Sequence, residues 1–158
     1  MLHPMLQGIP EKEIPSLLLH LGAYTRQYEK GEYVLLQGDR MPALGLLLAG
    51  KVFMEKEDVF GKIFLYLEIS LNSPWAVPFL YPALETSDVS CRAAVRSKFL
   101  YIPWERLQYS DPDRDGARQR LLRNLLEAVI QKNRILMEKI NILSRKSLQE
   151  RIWLYLRG

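Results

Sequence analysis

Residues 118–143 contain the pattern that most restricts how this chain can fold. Apolar residues recur there at alternating steps of four and three, the spacing along which two helices pair as a coiled coil. The seam consists of Leu122, Leu126, Val129, Asn133, Leu136, Ile140 and Leu143. A second apolar stripe beside it consists of Leu121, Leu125, Ala128, Ile135 and Ile142. A helix with two apolar stripes needs two neighbours. We therefore expect a long helix that pairs with a twin and also rests on the preceding domain; a core helix within one subunit is the alternative.

The composition is that of an ordinary globular protein. The chain has 158 residues, enough for one domain with an appended helix, and 48% of them are apolar. No apolar run approaches the roughly 20 residues that span a bilayer. The N-terminus lacks the basic start and apolar core of a signal peptide. We therefore expect a cytoplasmic protein with no membrane partner.

Charge is distributed unevenly along the chain. Residues 1–113 carry eleven Lys and Arg against fourteen Asp and Glu, a net charge of −3, whereas residues 114–158 carry eleven against four, a net charge of +7. The basic part would suit a polyanion such as DNA, although a solvated helix face has the same pattern. The single cysteine, Cys91, excludes an intrachain disulfide and reads as a small buried residue.

The first two thirds of the chain predict a β domain. A short amphipathic helix is expected from Ile9 to Leu21. From Tyr24 onward, short β-branched, aromatic and leucine runs are separated by turns, with Gly31 between two strands and Gly50 at a bend or bulge. Many short strands without intervening helices indicate an antiparallel sandwich or barrel.

The run from Tyr28 to Val52, YEKGEYVLLQGDRMPALGLLLAGKV, resembles the opening strands of the effector domain in the Crp/Fnr superfamily of bacterial transcription factors, named after the cAMP receptor protein and the fumarate–nitrate regulator. The succession of K-G-E, Q-G-D and A-G-K-V carries this resemblance. It continues through FLYIPWERL, from Phe99 to Leu107, which is similar to the last barrel strand, and into the long helix. The resemblance therefore covers nearly the whole chain.

The resemblance implies a mainly β protein with helices. Residues 1–113 would form a cupin-like double-stranded β-helix, or jelly roll, that senses a small-molecule effector, and residues 114–146 would form a long dimerisation helix. Residues 147–158 would begin a new helix at Leu148, because Ser147 and Glu150 have capping-box spacing. In the family that helix leads into a helix-turn-helix DNA-binding domain. We expect a homodimer, and either a fragment of a longer DNA-binding protein or a regulator without its own DNA reader.

Family members that bind cyclic nucleotides hold the ribose with a Gly-Glu pair and the phosphate with a following Arg-Ser or Arg-Thr. Val77 and Pro78 stand near the first position here, and Ser87 and Asp88 stand at the second. Neither the ribose-binding carboxylate nor the phosphate-binding arginine is therefore present at these positions, and Asp88 would repel a phosphate. We therefore expect that cAMP is not bound in the usual way.

Other residues occupy the expected effector pocket. Trp75, Phe79 and Tyr81 lie on a proline-rich loop, with Arg92 on or beside the next strand. They would suit an apolar or aromatic ligand with a carboxylate, or they fill the pocket themselves. Asn133, at an a-type position, can fix the register of the paired helices, and in the family the middle of this helix also reaches the pocket.

Other functions have less support from the residues. Haem ligated by His3, His20 or Cys91 is a further alternative, because some family members bind haem, but two histidines form no recognisable motif. We expect no metal site and no enzyme, because no nucleophile–base spacing, HExxH motif or phosphate loop is present. A stand-alone ligand-binding or interaction module without DNA binding is the alternative function.

Overall fold

The computed structural model describes residues 3–71, 74, 86–87, 89–109 and 115–157. Contacts divide the chain into two compact units, Met1–Asn124 and Leu125–Gly158. The strands of the described residues all belong to the first unit. The described part of the second unit is helical.

Two 3-10 turns, Pro4–Leu6 and Glu11–Glu13, precede the first helix. The helices are α1 Ile14–His20, α2 Trp104–Gln108 and α3 Asp115–Arg157. The strands are β1 Tyr24–Tyr28, β2 Tyr33–Leu35, β3 Ala43–Ala49, β4 Val52–Glu57, β5 Ile63–Glu68, β6 Ser90–Ala93 and β7 Ser97–Pro103. All of these strands except β6 fall in or overlap the short runs expected from Tyr24 onward, which confirms a mainly β domain followed by a long helix.

The described strands form two antiparallel sheets. Their orders are β1-β7-β3 and β2-β6-β4-β5. The chain passes between the sheets at every connection from β1 to β4 and again from β6 to β7, as in a jelly-roll-like sandwich. The more specific relation to cupins stays a prediction.

Both sheets contribute to one apolar core. Its members are Tyr28, Val34, Leu35, Ala43, Leu47, Val52, Ile69, Cys91, Ala93, Phe99 and Tyr101. Side chains alternate along a strand, so Leu100 and Ile102 of β7 face away from this core, yet both are buried. The helical segments and their ends also contain buried apolar residues, which we expect to pack on this face of β7. They are Met5, Leu6, Leu17, Leu21, Leu107 and Leu121.

The predicted bulge lies at the end of β3, next to its connection to β4. The pairing of β3 with β7 shifts register between Leu47 and Ala49, and Gly50 follows with a φ of +100°. The Ser97 hydroxyl lies directly against this glycine and accepts a hydrogen bond from the Lys51 amide at 3.1 Å. A side chain at position 50 would therefore overlap Ser97.

The first turns of α3 hold the N-terminal segment. The amide nitrogen of the Asn124 side chain donates to the carbonyl oxygens of Met5 and Gln7, each at 2.8 Å. The Arg118 guanidinium donates to the Leu107 carbonyl at 2.7 Å. Asn124 is only 8% exposed, so these bonds anchor the start of the helix from within the first unit.

The predicted helix start at Leu148 is wrong, because α3 runs without a break from Asp115 to Arg157. An N-cap residue at Ser147 would need non-helical backbone angles. Residues 144–152 contain neither Gly nor Pro and are rich in good helix formers. Helix propagation therefore prevails over the capping-box signal.

Candidate functional site

The aromatic wall of the expected effector pocket lies outside the described residues. This applies to Trp75, Phe79 and Tyr81, and also to Val77, Pro78 and Asp88. Ser87, Arg92 and Asn133 can be placed.

Ser87, which the sequence pattern aligns with a phosphate-binding position, is held by neighbouring backbone groups. It is 3% exposed; its hydroxyl donates to the Val89 carbonyl at 2.7 Å and accepts from the Val89 amide at 3.2 Å. The Ser87 amide donates to the Asp39 carbonyl at 2.8 Å, and the Gly38 amide donates to the Ser87 carbonyl at 2.7 Å. A phosphate at this hydroxyl would have to displace bonds that fix the local backbone.

Arg92, on β6, is paired with a carboxylate of the neighbouring strand β4. Its Nη2 donates to Glu55 Oε1 at 2.7 Å, and the two side chains are 44% and 5% exposed. Arg92 alternates with Cys91 and Ala93, which belong to the core, so it faces away from the space between the sheets. An anion that binds Arg92 must therefore share it with Glu55, a partner that the sequence did not indicate.

The core also contains a hydroxyl pair that sequence reasoning missed. The Tyr28 and Tyr101 hydroxyl oxygens are 2.8 Å apart, and the Phe99 ring stacks on Tyr101 at a centroid distance of 5.5 Å. Burial, reinforced by the bond to Tyr28, raises the pKa of the Tyr101 phenol far above its usual value. Tyr101 therefore stays neutral and contributes a fixed hydrogen bond rather than a titrating group.

The helix seam is open to solvent over most of its length in the single chain. Val129 is 37% exposed, and Asn133 is also exposed. Four further seam residues are exposed by 56–64%, namely Leu126, Leu136, Ile140 and Leu143. In the second stripe, Leu121 is buried whereas Ile135 is 51% exposed. Exposed apolar stripes of this kind are typical of interaction surfaces.

The three candidate haem ligands lie on different elements. Cys91 is fully buried in the sheet core, His20 ends α1, and His3 caps the first 3-10 turn by accepting a hydrogen bond from the Met5 amide at 3.1 Å. Within the described ranges, no group of three His, Cys, Asp or Glu residues is placed to hold a metal ion.

In the same part of the chain, no helix combines the length and apolarity needed to cross a membrane.

We expect the His3 cap to make stability depend on pH. Burial lowers the pKa of the His3 imidazole, and the nearby Leu71 carbonyl offsets this only in part. As pH falls through the unfolded value of about 6.5, the unfolded chain binds the proton first. The free energy of unfolding should then fall by up to about 1.4 kcal/mol per pH unit until the folded pKa is reached.

Urea denaturation of wild type and His3→Asn across this range measures the effect. Asparagine keeps an oxygen that accepts from the Met5 amide but does not titrate. The gap between the two free energies of unfolding should be constant above about pH 7.5 and shift in favour of the variant below about pH 6.5. Parallel curves throughout would remove His3 from the pH dependence.

Several solved structures share this architecture. The catabolite activator protein of Thermus thermophilus has 19% identity and a TM-score of 0.68, and the match covers 89% of this chain and 63% of that one. A transcriptional regulator from Thermotoga maritima has 26% identity and a TM-score of 0.65, with 82% of this chain and 96% of that chain covered. The sensor domain of the transcriptional regulator DNR from Pseudomonas aeruginosa has 16% identity and a TM-score of 0.55, with 91% and 85% covered.

The chain spans less than two thirds of the length of the Thermus protein. No family model and no curated protein sequence matches it. The likeness is therefore one of fold.

Proposed function

We propose that this chain, which has the fold of Crp/Fnr-type bacterial transcriptional regulators, is the effector-sensing and dimerisation region of such a regulator. The observation that carries the proposal is the exposed seam of α3, where Leu136, Ile140 and Leu143 are 56%, 59% and 64% exposed. The same positions follow the heptad spacing of a paired helix. A second copy of α3 is the partner that matches this spacing.

Pairing of two α3 helices would bury the seam and place the two copies of Asn133 opposite each other. An asparagine at an a position lowers coiled-coil stability but fixes register and strand number. The apolar residues on either side of it supply the driving force, at roughly 25 cal/mol per Å² of apolar surface removed from water. The helix thus serves as both a dimer contact and a rigid connection to whatever follows it.

Cysteine cross-linking tests the parallel, in-register arrangement. In Asn133→Cys the two engineered thiols should meet across the seam, and mild oxidation should convert most chains to a disulfide-linked dimer. Gln131→Cys is the matched control, because residue 131 lies about 160° around the helix from residue 133. The native Cys91 is fully buried and does not compete. Equal cross-linking of both variants, or none at residue 133, would contradict the paired helix.

We propose that the effector binds against the β domain, with Trp75, Phe79 and Tyr81 in its pocket. Its binding would bias the pitch or separation of the two helices, and thereby the position of DNA-binding domains attached beyond them. The net charge of +7 over residues 114–158 favours a nearby polyanion. A regulator of this kind acts in the cytoplasm, where the DNA is.

Cyclic AMP should leave the thermal midpoint of this chain unchanged. A ligand at about 100 times its Kd would stabilise the folded state by about 2.7 kcal/mol, which is a visible shift. Ser87, however, is engaged with Val89, and the arginine that would neutralise a cyclic phosphate is missing from its expected position. A concentration-dependent rise with cAMP in a thermal-shift assay would show that the phosphate is held in another way.

A further inference from the structure

Three side chains on the outer face of the four-stranded sheet form a row. Tyr33 on β2 pairs with Arg92 on β6, and Arg92 pairs with Phe53 on β4. Directly paired residues share a face of the sheet, and this face is opposite to that of Cys91 and Ala93 in the core. The row is therefore separate from the space between the sheets.

A neighbouring carboxylate orients the Arg92 guanidinium, which lies in the middle of this row. Glu55, next to it on the same face, has a side chain that is 5% exposed and accepts from Arg92 Nη2 at 2.7 Å. A buried carboxylate needs such a partner, so it holds the arginine in place. The guanidinium has five N–H donors, and its 44% exposed side chain leaves donors available to solvent.

An aromatic residue lies on the strand to either side of Arg92, Tyr33 on β2 and Phe53 on β4. The Tyr33 ring centroid is 6.0 Å from Arg92 Cζ, and Tyr33 is 43% exposed. Phe53 lies on the other side, and Lys51 Nζ is 6.0 Å from its ring centroid. Glu68, the partner of Phe53 on β5, places a negative charge at the far end of the row. An anion would therefore be attracted to the Arg92 end and repelled from the β5 end.

We propose that this row is a binding site for a planar aromatic anion, meaning an aromatic ring that carries a carboxylate or a phosphate. The anionic group takes the outward donors of Arg92, whose fork matches two oxygens. The ring of the ligand lies against Tyr33 and the exposed part of Phe53. The site needs neither helix pairing nor DNA, so it goes beyond the regulator function and is tested separately from it.

Calorimetric titration of the whole chain with benzoate and with phenyl phosphate tests the site. We expect saturable binding of at least one probe, at millimolar strength for such small molecules. The probe that binds more tightly shows whether the site prefers a carboxylate or a phosphate. Cyclohexanecarboxylate, which has the charge but no aromatic ring, should bind more weakly than benzoate. No saturable binding of either aromatic probe would overturn the proposal.

Variants locate the binding. Glu55→Gln combined with Arg92→Gln keeps a neutral hydrogen-bonded pair in place of the ion pair, so the chain should fold, and binding should weaken about tenfold. Tyr33→Leu should weaken it about threefold to fivefold through the lost ring contact. Arg96→Gln is the control, because Arg96 lies in an exposed pair with Glu29 at 3.4 Å. Undiminished binding in the double variant, or an equal loss in the control, would overturn the proposal.

Discussion

Gly50→Ala is expected to lower the free energy of unfolding by about 3 kcal/mol and the Tm by about 10 °C. Gly50 has a φ of +100°, and an added methyl group would overlap the Ser97 hydroxyl and lie 2.6 Å from the Arg96 carbonyl oxygen. The backbone conformation alone costs an alanine about 1–2 kcal/mol. The overlap adds a similar amount, because backbone atoms of the β6–β7 connection cannot move aside without disturbing β7.

Gly31→Ala is the matched control for this prediction. Gly31 has a φ of +88°, but an added methyl group would meet nothing within 4 Å. Only the backbone cost of about 1–2 kcal/mol should remain. Urea denaturation followed by circular dichroism measures both variants. Equal losses in the two would show that the contact at Ser97 does not limit the packing of β3 against β7.

Asn124→Ala is expected to lower the free energy of unfolding by about 2 kcal/mol. The side-chain amide of Asn124 donates to the Met5 and Gln7 carbonyls, each at 2.8 Å. Alanine would leave the buried Met5 carbonyl without this donor, which costs about 1–3 kcal/mol for an unsatisfied group, whereas the Gln7 carbonyl keeps a bond from Arg120 Nε at 3.2 Å. The N-terminal segment should then exchange its amide hydrogens faster, because its anchor to α3 is lost.

Asn141→Ala provides the comparison on the same helix. Asn141 is exposed, and alanine has the higher helix propensity, so stability should rise slightly or stay the same. Denaturant unfolding and hydrogen exchange can be measured on both variants under one set of conditions. If Asn141→Ala lowered the free energy of unfolding as much as Asn124→Ala, the buried side-chain amide of Asn124 would not be the cause of the loss.

Local patterns in the sequence predict the strands and turns of this fold well. The short apolar and aromatic runs from Tyr24 onward and the turn at Gly31 depend only on neighbouring residues, so they can be recognised without the structure. The bulge beside Gly50 is predicted for the same reason. The helix beyond Ser147 was mispredicted because a capping-box spacing is also compatible with a helix interior.

The contacts that define the candidate sites could not be predicted from the sequence. The Arg92–Glu55 pair joins residues 37 positions apart, and the Tyr28–Tyr101 pair joins residues 73 positions apart. Asn124 reaches Met5 across 119 positions. Each depends on sheet register or chain closure, which no local periodicity encodes. The assignment of Trp75, Phe79 and Tyr81 to the effector pocket remains a prediction.

Sedimentation equilibrium of this chain at micromolar concentration tests the paired-helix proposal most directly. If α3 pairs through Leu136, Ile140 and Leu143, the measured mass should be twice the 18.4 kDa of one chain. It should fall toward the single-chain value only on dilution, as mass action requires. A mass of one chain throughout the micromolar range would contradict the account, because the exposed seam would then have no twin.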